Sequence, residues 1–310
     1  MSEAARRSSS TRHPRGDGKV RAAATSVLSN SLLTGAKLAA AFATHSVSIL
    51  SEALHSGLDL VAAVMAFFAV RRSRQAADRE HQFGHGKFES ISGLVEGALI
   101  VVAVALIAWR AVARMVTGQV HITEVGWGSA VMAVSAVVNI FVSRLLFRVA
   151  RRTDSVALEA DAWHLRTDVW TSAGVFAGLA TIAVAERMGF REAAHLDPVI
   201  AMAVAAVILK AAWDIMARSW DHLVDRSLPS DEIEQIESLL REHYPEFAEF
   251  HRLRTRKAGP QRYIDLHLVV PGGRSVAEAH ALCDHLESDL TALLPHSEVM
   301  IHVEPEGDDD

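Results

Sequence analysis

Six stretches of this chain, at about 22–42, 47–70, 91–114, 125–148, 160–186 and 197–219, read as membrane-crossing helices, because a span takes roughly 20 predominantly apolar residues. An even number of spans returns both termini to one side. The first stretch is rich in Ala, Ser and Thr, and the fifth opens on charged residues, so both lean on neighbouring helices more than on hydropathy. Half of the 310 residues are hydrophobic, yet the mean hydropathy is only +0.18. Greasy and strongly polar segments therefore alternate within one chain.

Basic residues in short loops stay on the cytoplasmic side of a membrane. Arg6, Arg7, Arg12, Arg15 and Lys19 precede the first stretch, Arg71, Arg72, Arg74, Arg79 and Lys87 follow the second, and Arg148, Arg151 and Arg152 follow the fourth. Both termini are thus expected in the cytoplasm. The start of the chain lacks the apolar core and cleavage site of a signal peptide and reads as a disordered cytoplasmic tail over 1–19. Its basic residues have no interleaved aromatics, so nucleic acid is not an expected partner. The net charge of −6 says little, since an acidic tail at 306–310 offsets the basic start.

After Trp220 the pattern changes. A charged helix is expected over 231–243, strands over 249–257 and 261–270, a helix over 275–293 and a strand over 298–304. This α-β-β-α-β order suits a small α+β domain with helices on one face of an open sheet. The expected division is 20–222 for the six-helix membrane part and 223–305 for this soluble part.

Two of the membrane stretches carry one pattern. His55 and Asp59 stand four residues apart, as do His164 and Asp168, and residues i and i+4 share a face of a helix. Two such helices facing each other supply two nitrogen and two oxygen donors, a set that suits a tetrahedral divalent ion, zinc first. Ionisable residues at membrane depth are costly, and two buried carboxylates repel unless a cation lies between them. Imidazole must lose its proton to ligate, so metal release and proton uptake share atoms. Asp161, one turn before His164, is expected beside the site, and Asn30, Ser31, Glu96 and Asn139 are expected to bond between helices.

With one cysteine, Cys283, and 16 histidines, metal chemistry runs on imidazole and carboxylate. Asp78, His81 and His85 would share a helical face, although Gly84 and Gly86 admit a turn instead. In the soluble part His251, His267, His280, His302 and Glu304 form a candidate binuclear site, because adjacent strands bring such residues within ligand distance. His222, His243, His285 and His296 read as surface histidines.

Together the two His-x-x-x-Asp helices, the run Phe83-Gly84-His85-Gly86-Lys87-Phe88-Glu89, the segment Leu253 to Arg256 and the final Ile301-His302-Val303-Glu304-Pro305 resemble the cation diffusion facilitator family. The resemblance runs from Val20 to Glu304 and points to a bacterial member of the zinc and ferrous-iron efflux type. It implies a homodimeric exporter, not an enzyme, with six transmembrane helices and a metallochaperone-like cytoplasmic domain, exchanging a divalent cation for protons across the bacterial inner membrane. Carried residue by residue, it implies a transport site of His55, Asp59, His164 and Asp168, and a loop site of Asp78, His81 and His85. It also implies a cytoplasmic dimer-interface site of His251, His267, His280, His302 and Glu304, and a salt bridge of Lys87 with Asp225 that locks the dimer. Here Glu304 replaces an Asp and follows Val303. The His2Asp2 set resembles zinc-selective members. Export of Cd, Co, Fe or Mn, or a membrane-anchored sensor that does not transport, stay as alternative readings; a metalloenzyme ranks last, because four protein ligands leave no open position for water.

Overall fold

The structure, a computed structural model, describes residues 14–44, 47–117, 127–187, 196–243 and 246–307. The chain divides into two compact units, Met1–Trp220 and Asp221–Asp310. The first is built from α1 (Pro14–Thr44), α2 (Val47–Ser73), α3 (Lys87–Thr117), α4 (Trp127–Thr153), α5 (Val156–Arg187) and α6 (Leu196–Leu223), whose last residues lie in the second unit. Helix α1 opens at Pro14, where a fixed φ and a missing N–H suit a first helical position. Residues 14–19 of the expected tail are therefore helical, while residues 1–13 and 308–310 lie outside the described residues.

Among the described residues, three stretches are long and apolar enough to cross a membrane: Ala53–Ser73, Lys87–Trp109 and Ala133–Thr153. Three of the expected six stretches meet this measure among the described residues. Helix α1 carries Lys19, Arg21 and Lys37, α5 carries Glu159, Asp161, Arg166 and Asp168, and α6 carries Lys210 and Asp214. The unit is nevertheless apolar outside and polar inside. Leu32, Phe42, Leu58, Phe68, Trp109, Phe141 and Trp213 are exposed, while Asn30, Asp59, Glu96, Asn139 and Asp161 are buried. An extended exposed apolar surface of this kind needs a non-aqueous partner.

One apolar cluster joins Ala22 and Ala23 of α1, Val70 of α2, Leu146 of α4 and Leu158 and Leu165 of α5. Another joins Ile100 and Val104 of α3 to Ala205, Ile208 and Ala212 of α6. Small residues let α3 approach α6 closely: a β-carbon on Gly97 would come within 2.5 Å of Met216 Cγ. At one end of the bundle the fully buried Glu89 accepts from Lys19 Nζ at 3.1 Å, from the Ser73 hydroxyl at 2.7 Å and from the Ser155 hydroxyl. This one carboxylate ties together α1, α2, α3 and the start of α5, its charge answered by the buried lysine.

The second unit contains α7 (Ser230–Glu242), β1 (Glu249–Ala258), β2 (Gln261–Val270), α8 (Val276–Leu293) and β3 (Ser297–Pro305), the α-β-β-α-β order read from the sequence. The sheet runs β1-β2-β3, with β1 antiparallel and β3 parallel to β2. Ile264, Leu266, Leu268 and Val270 alternate along β2 onto one face, where Ile236 and Leu240 of α7 and Leu282, Leu286 and Leu290 of α8 cover them. Ser275 and Glu278 form a capping box at the start of α8. A bulge after His251, with Arg252 at φ 50°, adds one residue to β1. It lets Phe250 and Leu253, three apart, both return to the helix-covered face and leaves His251 on the other.

Candidate metal centre

Helices α2 and α5 pack against each other and bring His55, Asp59 and Asp168 within 4.8 Å of one another, with His164 meeting Asp59. His164 Nε2 lies 3.0 Å from Asp59 Oδ1, and His55 Nε2 lies 4.0 Å from both Asp59 Oδ1 and Asp168 Oδ1. A tetrahedral zinc with bonds near 2.1 Å has donor–donor edges of about 3.4 Å. The measured separations bracket that value. The side chains of Asp59 and His164 are 8% and 12% exposed and that of His55 is 54% exposed, so the cluster runs from the packed interior to an open side. Two carboxylates with two neutral imidazoles carry the countercharge of one divalent ion.

Around this cluster the structure adds residues that the sequence reading missed. Lys37 of α1, itself buried, donates from Nζ to the Ser56 hydroxyl at 2.6 Å, and the Thr34 hydroxyl donates to the Ser56 carbonyl at 3.0 Å. Helix α1 thereby holds the turn of α2 that carries His55 and Asp59. A lysine in the middle of a membrane-length stretch was the available signal. Asp161 and Glu96 are both buried, and the Ser92 hydroxyl donates to Glu96 at 3.1 Å within α3. Ser31 departs from its expected interhelical role: it is exposed, and its hydroxyl donates to the Val27 carbonyl of its own helix.

Between α2 and α3 the residues Asp78, His81 and His85 converge in a turn, not a helix, with Gly84 at φ 78°. Asp78 accepts from the backbone N–H of His81 at 2.7 Å and of Glu80 at 2.9 Å. The His81 N–H bond, more than any other influence, holds the Asp78 carboxyl below its ordinary range. Asp78 Oδ1 lies 3.5 Å from His81 Nδ1, and Oδ2 lies 3.3 Å from His85 Nε2. His85 Nδ1 faces the Gln75 carbonyl at 3.3 Å. A carbonyl only accepts, so Nδ1 donates to it, and this bond fixes the ring with Nε2 facing Asp78.

On the uncovered face of the sheet, His251 pairs across strands with His267, and His267 with His302. Glu304, two residues beyond His302 on the same face, reaches all three: His267 Nδ1 donates to Oε1 at 2.6 Å, His251 Nε2 lies 3.2 Å from Oε2, and His302 Nε2 lies 3.7 Å from Oε1. The His267 bond is the main cause that holds the Glu304 carboxyl below its usual range. His280 is not brought to this cluster; it stands exposed on α8, 3.7 Å from Asp284. Asp225 lies 3.5 Å from Arg256 within the second unit, and Lys87 opens α3 in the first.

Residues 23–224 match the cation efflux transmembrane domain, and residues 228–306 match the cytoplasmic domain of cation efflux proteins. The chain is 37% identical over 271 residues to a protein of Synechocystis named "Uncharacterized transporter sll1263", covering 87% of this chain and 85% of that one. To the cation-efflux pump FieF of Yersinia enterocolitica it is 32% identical over 293 residues, covering 93% and 92%. A solved structure of the putative zinc transporter CzrB in its zinc form is 45% identical, covering 28% of this chain and 98% of that one with a TM-score of 0.27. With both domains matched in order along a single chain, the protein belongs to the cation diffusion facilitator family of cation efflux transporters and is not an enzyme.

Proposed function

We propose that this protein is a homodimeric zinc/proton antiporter that exports zinc from the cytoplasm across the bacterial inner membrane. The observation that carries the reading is the meeting of His55 and Asp59 of α2 with Asp168 of α5, His164 of α5 lying 3.0 Å from Asp59, in a cluster that runs from the buried Asp59 to the exposed His55. Six spans over 20–222 and both termini in the cytoplasm follow from the alternation of basic loops. Zinc enters the cluster from the cytoplasmic side, is held by His55, Asp59, His164 and Asp168, and leaves outward as α2 and α5 reorient. The imidazoles ligate only when neutral. Protons returning from outside compete for the same nitrogens and favour release.

The loop cluster of Asp78, His81 and His85 serves as a second zinc site beside the membrane part. In the cytoplasmic domain, proposed at 223–305, His251, His267, His302 and Glu304 bind regulatory zinc at the dimer interface, while His280 stands apart from them within one chain. Lys87 and Asp225 form the salt bridge that holds the dimer. Metal on the sheet face favours one arrangement of the two subunits by binding it more tightly than the other.

The test is transport by the purified chain in proteoliposomes with zinc outside and a pH-sensitive dye inside. Zinc uptake accompanied by an opposite movement of protons is expected. Zinc binding without flux would make the chain a membrane-anchored sensor, and uptake without proton movement would remove the antiport.

A further inference from the structure

The His-x-x-x-Asp spacing that marks α2 and α5 recurs on α8, as His280 with Asp284 and as His285 with Asp289. The second of these pairs meets a third donor from another helix. His243, the residue that ends α7, has Nε2 at 3.2 Å from Asp289 Oδ2, and His285 Nε2 lies 3.5 Å from the same oxygen. The two imidazole rings sit edge to face with centroids 5.4 Å apart. His243, His285 and Asp289 thus place one ligand atom each within 4.8 Å of one another, at separations close to the edge of about 3.4 Å that a tetrahedral zinc requires.

The protonation of His243 sharpens this geometry. Its Nδ1 lies 2.9 Å from the Leu239 carbonyl, and a carbonyl only accepts, so Nδ1 carries the proton. In the neutral ring Nε2 then presents a lone pair to a carboxylate oxygen that is also an acceptor. Two acceptors at 3.2 Å need a positive charge between them, either a second proton on the ring or a metal ion. The carbonyl bond on the far nitrogen is the arrangement by which proteins fix a ligating histidine in the correct tautomer and orientation. His243 is 14% exposed at its side chain and anchored in the α7 end, while His285 and Asp289, 59% and 38% exposed, line the open side.

We infer that His243, His285 and Asp289 form a zinc-class divalent cation site between the end of α7 and the middle of α8, separate from the cluster on the sheet face. The three protein donors leave a fourth tetrahedral position to water, so the bound ion exchanges with solution. Because the ligands come from two helices, the ion pins the end of α7 to α8, and folding of this unit is linked to cytoplasmic zinc. The single carboxylate and two nitrogens favour zinc over manganese or magnesium.

The test uses the full chain in detergent, with zinc itself as probe and equilibrium dialysis as the count. In a background of Asp59→Ala, Asp78→Ala and Glu304→Ala, which removes the shared carboxylate of each other cluster, zinc is expected to stay bound at one ion per chain. Adding His285→Ala releases it. Cobalt in the same background should give the intense visible absorption of a tetrahedral site and lose it with His285→Ala. An independent measurement avoids the multiple variant: in the otherwise unaltered chain, the exposed His285→Ala alone lowers the zinc count by one. A background that binds no zinc, or a count unmoved by His285→Ala, overturns the site and leaves His243 as an imidazolium paired with Asp289.

Discussion

The cluster of α2 and α5 and the cluster on the sheet face use the same donors at similar distances in different surroundings. Asp59 and His164 sit 8% and 12% exposed between helices, whereas His302 on the sheet is 65% exposed and His251 33%. In the packed interior, losing the ion leaves carboxylates without countercharge, which is costly unless protons replace it. On the sheet, water and ring rotation meet the same need at little cost. Under the proposed antiport, the first environment couples metal to protons and the second lets occupancy follow the free metal concentration.

This contrast is broken most directly by removing one ligand from each cluster. Asp59→Ala is expected to lower zinc flux in proteoliposomes by on the order of 100-fold or more, since a ligand is worth at least as much as the outer partners whose loss costs roughly 10–100-fold. His267→Ala should leave flux within about tenfold of the parent at saturating zinc, if the sheet cluster biases transport and does not carry it. Equal losses in both variants would end the distinction between a transported and a regulatory ion.

The next effect concerns selectivity. In His55→Asp the interior cluster gains a third carboxylate and loses a nitrogen donor that suits zinc, so competitive uptake should shift towards manganese and cadmium by about tenfold, or ~1.4 kcal/mol. An unchanged ratio would place the choice of ion elsewhere, with Lys37 and Ser56 the neighbouring groups to vary. A smaller effect is thermal. Zinc at about 100 times its dissociation constant stabilises a folded unit by ~2.7 kcal/mol, and His267→Ala should lose the part of the zinc-dependent rise in melting temperature that comes from the sheet cluster, leaving the part due to His243, His285 and Asp289.

How the two clusters are built also decides how far each could be read from the sequence. On helices the ligands recur at i and i+4, so His55 with Asp59 and His164 with Asp168 are visible as spacing. On strands they come from register: His251 meets His267 across an antiparallel pair and His267 meets His302 across a parallel one. Their residue types were legible, and so was the α-β-β-α-β order, through alternation along β2. The bulge after His251 was not, because it is fixed by Phe250 and Leu253 both needing the core. Burial of Lys37 and Lys19 was hidden for a related reason, since each depends on a partner in another helix, Ser56 and Glu89. Among the His-x-x-x-Asp pairs of α8, nothing local tells that His285 meets His243 and that His280 does not.

The smallest expected effect separates the surroundings by pH. The bond from His267 Nδ1 holds Glu304 below the ordinary carboxylate range, so ionised Glu304 binds its partner better in the folded unit than in the unfolded chain. That contribution is complete above the unfolded carboxylate value near ~4.3 and fades as pH falls through the lower folded value. With a chelator present, the melting temperature of the second unit should therefore fall more steeply below about pH 5 in the parent than in Glu304→Gln, where position 304 no longer titrates. Coincident curves would mean that the carboxylate is not held by His267 in solution. A zinc-loaded sample adds a sharper condition: protons must then displace the ion from both residues at once, so its loss of stability should begin at higher pH than in the chelated protein.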